Sequence, residues 1–133
     1  MLLVIRKCIS DFFWKVRFSL DTLELAHRIV NILDEKKGED ILLLDISEES
    51  SFADYFLICS GSSIRMVNAL VKTVKKEIKQ EYGLGPNIEG EANAGWMLMD
   101  YGGLILHVFS PDRRAFYRLE ELWSEGKTVL HLQ

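Results

Sequence analysis

The spacing of apolar residues changes along this chain, and each change marks an element. From Asp21 the spacing is helical: Leu25, Ala26, Ile29, Val30 and Leu33 fall on one face. Asp21 with Glu24 three residues on forms an Asp-type capping box. Lys36-Lys37-Gly38 then supplies basic side chains in the last turn and a glycine at the left-handed stop. Apolar runs at residues 41–46 and 55–59 read as strands, joined by the acidic connector Glu48-Glu49-Ser-Ser-Phe-Ala-Asp54. Ser62 or Ser63 caps a second helix whose buried face is Val67, Leu70, Val71, Val74 and Ile78. It ends before Gly83, and Gly85-Pro86 prevents its return.

A short strand at residues 87–91 precedes the most informative segment, Trp-Met-Leu-Met-Asp-Tyr-Gly-Gly-Leu-Ile-Leu-His-Val-Phe at 96–109. Strand formers on both sides of Asp100-Tyr101-Gly102-Gly103 predict a β-hairpin. With Tyr101-Gly102 as a two-residue loop, Asp100 pairs with Gly103, Leu98 with Ile105 and Trp96 with His107. Alternation then puts Met97, Met99, Leu104, Leu106 and Val108 on a core face. Trp96, Leu98, Asp100, Ile105, His107 and Phe109 take the other. A three-residue loop would shift the pairing and reassign the faces. In the two-residue register Tyr101 stands exposed at the turn, beside an aromatic face that carries a carboxylate. That combination suits docking better than a reaction centre. The plainer alternative is that Trp96 closes the core.

Ser110-Pro111-Asp112 reads as N-cap and first-turn proline of a closing helix carrying Phe116, Leu119, Leu122 and Trp123. After Gly126, residues 128–132 are too short to assign. The order predicts an α+β domain with one mixed sheet of about five strands flanked by helices. Residues 1–19 stand apart as an amphipathic stretch, with Ile5, Ile9, Phe12, Phe13, Val16 and the adjoining Leu20 on one stripe. A helical extension, a misassigned start and a targeting segment are the competing readings, and the plain extension is preferred. A signal peptide fits poorly, because basic residues interrupt the apolar run.

Composition narrows the function. The chain has 133 residues, enough for one domain with one ordinary core. No run approaches the roughly 18–20 apolar residues that span a bilayer. Cys8 and Cys59 make no framework, and Cys59 reads as a buried thiol in a reducing, cytoplasmic setting. With no CxxC and three scattered histidines, no metal site or cofactor is expected. Residues 1–19 carry a net +3 and residues 20–133 a net −7. An acidic body disfavours wrapping nucleic acid and favours a basic protein partner. Arg65, Lys72, Lys75, Lys76 and Lys79 line the solvent side of the second helix. Such a row is usually only the polar half of an amphipathic helix, here diluted by Glu77 and Glu81, and supports at most a minor contact with RNA phosphates.

Trp96-x-x-x-Asp100-Tyr101-Gly102 followed by an apolar strand with His107-x-Phe109 resembles the ribosomal silencing factor (Iojap-like) family. Further pieces follow the family order: Ala53-Asp54-Tyr55-Phe56, Gly61-Ser62-Ser63-Ile64-Arg65, Glu89-Gly90-Glu91 and Tyr117-Arg-Leu-Glu120-Glu-Leu-Trp123. The resemblance runs from about residue 20 to Trp123 and assigns 20–133 to a silencing-factor-like domain. It implies a non-enzymatic repressor of translation. Such a protein binds the large ribosomal subunit at protein L-fourteen, blocks joining of the small subunit, and in some relatives forms a homodimer. By the same carry-over Trp96, Leu98, Asp100, Tyr101 and Gly102 are contact residues, with Glu89, Gly90 and Glu91 as neighbours. Gly103 stands where many relatives carry an acid, which puts one charge contact in doubt.

The family is also similar in fold to nucleotidyltransferases, which supplies the alternative. Gly61-Ser62 at a strand-to-helix turn could cradle phosphate, and Glu89 with Glu91 could hold a divalent metal. That pattern usually wants aspartates closer behind the Gly-Ser turn. Ser62 as a simple cap and the glutamates as a solvated edge account for the same residues. Hydrolysis through His107 or Cys59 has no nucleophile elbow or base-orienting pattern behind it.

Overall fold

The computed structural model describes residues 22–123 and 126–133. The N-terminal stretch 1–19 and the Asp21 cap lie outside the described residues. Helix α1, residues 22–35, buries Leu25, Ala26, Ile29, Val30 and Leu33 as the periodicity predicts, and Ile32 besides. Its stop differs from expectation. Lys37, with φ 65°, takes the left-handed position instead of Gly38. Gly38 is required for packing: a Cβ there would sit 2.7 Å from Cys59 Sγ.

Strands β1 (Glu39–Asp45) and β2 (Tyr55–Ser60) pair antiparallel. Helix α2 (Ile64–Tyr82) follows, with the Ser63 hydroxyl accepting from Met66 N–H at 3.1 Å, and it ends at left-handed Gly83. It buries the five residues that the periodicity selects. Strands β3 (Asn87–Glu91), β4 (Trp96–Asp100) and β5 (Leu104–Phe109) come next, then helices α3 (Pro111–Tyr117) and α4 (Leu119–Leu122) and strand β6 (Lys127–Leu132).

These make one mixed sheet of six strands in the order β3-β4-β5-β2-β1-β6. Only the central pair, β2 with β5, is parallel. Both central strands are buried on both faces, which explains their unbroken apolar runs. Helices α1 and α2 cover one face, packing on Leu43, Leu57, Met99, Leu106 and Val108. The second face carries a separate core of Leu42, Leu44, Phe56, Ile58, Ile105 and Phe109, with Leu119 and Trp123 packed against it.

Two expectations change here. The sheet has six strands because residues 127–132 pair with β1. The closing helix is broken at Arg118, whose φ of 48° is left-handed, so Phe116 and Leu122 point to solvent while Leu119 and Trp123 reach the core.

Candidate functional site

The hairpin keeps its predicted faces but not its register. Trp96 pairs with Phe109, Leu98 with His107 and Asp100 with Ile105. The loop is therefore Gly102-Gly103, and Tyr101 N–H bonds to Leu104 O at 2.9 Å. Gly102 supplies the positive φ, 96°, and Asp100 Oδ1 accepts its N–H at 2.7 Å, which staples the turn. Sliding the turn by one residue moves each partner by two, so side-chain parity survives.

Tyr101 is the casualty of that slide. It belongs to the ladder, not the loop, and its ring joins Met97 and Met99 on the helix-covered face. It is 7% exposed, so the expectation of an exposed anchor is overturned. Burial pushes its phenol up to about 12, and its hydroxyl has no hydrogen-bond partner among the described residues.

Trp96 and Leu98 stand on the opposite face. They line a groove of about 290 Å³ together with Glu89, Gly90, Ala94 and Tyr117. The indole is half-buried, stacked on Phe109 with centroids 5.0 Å apart and flanked by Tyr117 at 4.6 Å. Tyr117 enters from α3, which Ser110 and Pro111 start at the end of β5. Nothing in local periodicity pointed to Tyr117 or Ala94; Tyr117 was visible only as part of a family-like motif.

His107 lies beneath the groove, 3% exposed, between Phe56 and Phe109. Its Nδ1 accepts from Trp96 Nε1–H at 3.2 Å. Burial pulls its pKa down to about 4, so the imidazole is neutral at pH 7. It orients the indole.

The rim is acidic. Glu89 pairs across the ladder with Leu98, Glu91 with Trp96 and Asn87 with Asp100, so the three carboxylates share the groove's face. None of them makes a salt bridge among the described residues. Gly90, at φ 86°, turns between them, and a Cβ there would collide with the carbonyl oxygen of Trp96. Edge strand, carboxylates and the aromatics Trp96 and Tyr117 thus share one face, a candidate surface that includes Glu89, Gly90, Glu91, Trp96, Leu98 and Asp100.

The alternative chemistry is not assembled. Gly61 follows the end of β2, while Glu89 and Glu91 lie on β3, three strands away in the sheet, or roughly 14 Å at normal spacing. No cluster of three metal-ligating side chains occurs among the described residues. Ser62 is exposed and Ser63 makes the cap.

A buried charge that the sequence did not reveal sits beside β1 and β2, where Ser60 is in register with Phe109. Arg114 is 6% exposed. Its guanidinium donates to Asp40 O and to Ser60 Oγ at 2.9 Å, and its Nε meets Glu120 Oε1 at 3.3 Å. One side chain thereby ties β1, β2, α3 and α4 together.

The family model for "Ribosomal silencing factor during starvation" matches residues 19–133. This chain belongs to the ribosomal silencing factor family. One relative is the ribosomal silencing factor of Halalkalibacterium halodurans, 42% identical over 80% of this chain and 91% of that protein. Another is the mouse protein named mitochondrial assembly of ribosomal large subunit protein 1, 33% identical over 81% of this chain but 46% of its own length. Among solved structures, a crystal structure of a Chromobacterium violaceum protein superposes with a TM-score of 0.73, at 30% identity over 84% of this chain and 92% of that one.

Proposed function

We propose that this silencing-factor-family chain binds the large ribosomal subunit at protein L-fourteen and represses translation by standing where the small subunit must dock. The observation that carries this reading is the groove at the β3–β4 edge: an aromatic floor with Glu89 at its rim and Glu91 and Asp100 on the same face, none of the three in a salt bridge among the described residues. Half-buried Trp96 and exposed Tyr117 are of the residue types that concentrate interface energy, while charge at the rim sets orientation and association rate. The chain's net charge of −4 suits a basic ribosomal protein. The mouse relative's name, with its large ribosomal subunit, points to the same particle.

Repression on this reading needs no bond chemistry and no cofactor. A domain covering a standard patch, about 800 Å² per partner, places its bulk against the incoming subunit. The activity belongs to residues 20–133 and is exercised in the cytoplasm. No helix among the described residues is long and apolar enough to cross a membrane. A second copy of the chain is a further partner on this reading, with exposed Phe116 and Leu122 as the apolar surface offered to it.

Crosslinking tests the assignment. A photoreactive residue in place of Glu91, irradiated with purified large subunits, should capture protein L-fourteen. Capture only of other ribosomal proteins would contradict the reading.

A further inference from the structure

Helix α2 covers the face of the sheet opposite the groove, and its solvent side is more strongly cationic than the sequence suggested. Arg65, Lys72, Lys75, Lys76 and Lys79 are all exposed. At 3.6 residues per turn they fall within an arc of about 100° and extend roughly 21 Å along the axis. The four lysines line one shallow depression with Gln80.

Glu77 and Glu81, the acids expected to dilute this row, do not stand in it. Both are drawn to the other flank of α2 by Arg28 of α1, with Arg28 Nε donating to Glu81 Oε2 at 2.7 Å and Arg28 Nη2 at 4.0 Å from Glu77 Oε2. None of the five cations forms an ion pair among the described residues. The helix thus sorts its charge across its width: acids turned toward Arg28 at the α1 seam, cations free on the outside.

We propose that this face of α2 binds the phosphate backbone of duplex RNA. The segregation overcomes the objection from overall acidity. At physiological salt, charges beyond about 8 Å are largely screened, so a ligand on the outer face responds to the local row rather than to the net charge. Several cations along one helix, with no aromatic or hydrogen-bonding pattern to read bases, suit phosphates that position without specifying sequence. The groove on the opposite face stays free for a protein, so the two surfaces do not compete.

The test uses the full chain and a short RNA duplex, titrated at several salt concentrations. The ribosomal reading is not needed for this arm. Binding should weaken with salt, with a log–log slope of roughly −3.6 to −4.5 for four or five phosphate contacts at about 0.9 per contact. Lys72→Gln, Lys75→Gln and Lys76→Gln together should flatten that slope by about 2 to 3 and leave the thermal melt unchanged. Trp96→Ala should leave the RNA slope as it is. No wild-type binding to the duplex at 50 mM salt (roughly the low end used for such slopes) would overturn the proposal. So would a slope indifferent to the three substitutions, or capture by anionic lipid vesicles in place of RNA. Failure of the groove reading would show separately, as undiminished large-subunit binding by Trp96→Ala.

Discussion

Trp96 Nε1–H donates to His107 Nδ1 at 3.2 Å, and this bond sets the chemistry of the groove floor. An indole N–H can only donate, so Nδ1 must be the unprotonated nitrogen and the ring proton sits on Nε2. Nε2 is buried without a partner among the described residues. Adding a second proton would set N–H against N–H and place a charge among Phe56, Trp96 and Phe109.

Acid sensitivity follows with a definite sign. His107 titrates near its ordinary value when unfolded and at about 4 when folded. Between those values the unfolded chain binds the extra proton. Stability tied to His107 is therefore complete above about pH 6.5 and lost as pH falls towards 4, by about 2–3 kcal/mol at pH 4.5. Urea melts of wild type and His107→Gln should diverge in slope across that window. Parallel pH profiles would remove His107 from the account.

Gly90→Ala should damage both stability and docking. It forces a side chain into φ 86° and against the Trp96 carbonyl, where β3 holds Glu89 and Glu91 beside the groove. A loss of about 1–3 kcal/mol is expected in a thermal or urea melt, with weakened large-subunit binding.

Arg114→Met should cost about 2–3 kcal/mol, because the Asp40 and Glu120 carboxylates lose a charged donor beside the buried Ser60 hydroxyl. Hydrogen exchange should accelerate first in α3 and β6, the latter held to Asp40 through His131 at 2.6 Å. Arg114→Lys should fail to restore protection, since an ammonium cannot span Asp40, Ser60 and Glu120 at once.

Tyr101→Phe separates burial from recognition. Its hydroxyl is buried without a partner among the described residues, so removing it should leave stability unchanged or raise it by up to about 1 kcal/mol. Large-subunit binding should not change. A tenfold loss of affinity would return Tyr101 to the interface.

Much of this arrangement was legible in the chain, for reasons that differ by element. Helix α2 shows its five buried residues and a serine cap, at Ser62 or Ser63, because helical period and capping chemistry are local; the structure selects Ser63. The hairpin faces were readable because alternation depends on parity, which the slide of the turn preserved. Tyr101 was misplaced because the turn could close on Tyr101-Gly102 or on Gly102-Gly103, and Asp100 decides it only through a hydrogen bond seen in three dimensions. Strand β6 and the buried Arg114 escaped notice because their partners, β1 and Asp40, lie some 74 to 91 residues away in sequence. The break at Arg118 was hidden because a left-handed arginine carries no compositional signal.

The most direct test is sedimentation of the folded Trp96→Ala protein with purified large ribosomal subunits, its integrity verified by a melt. Removing the indole that Phe109 and Tyr117 hold in the groove should weaken binding by about 2 kcal/mol, or roughly thirtyfold. Wild-type affinity in that protein would contradict the claim that the β3–β4 groove is where this chain meets the ribosome.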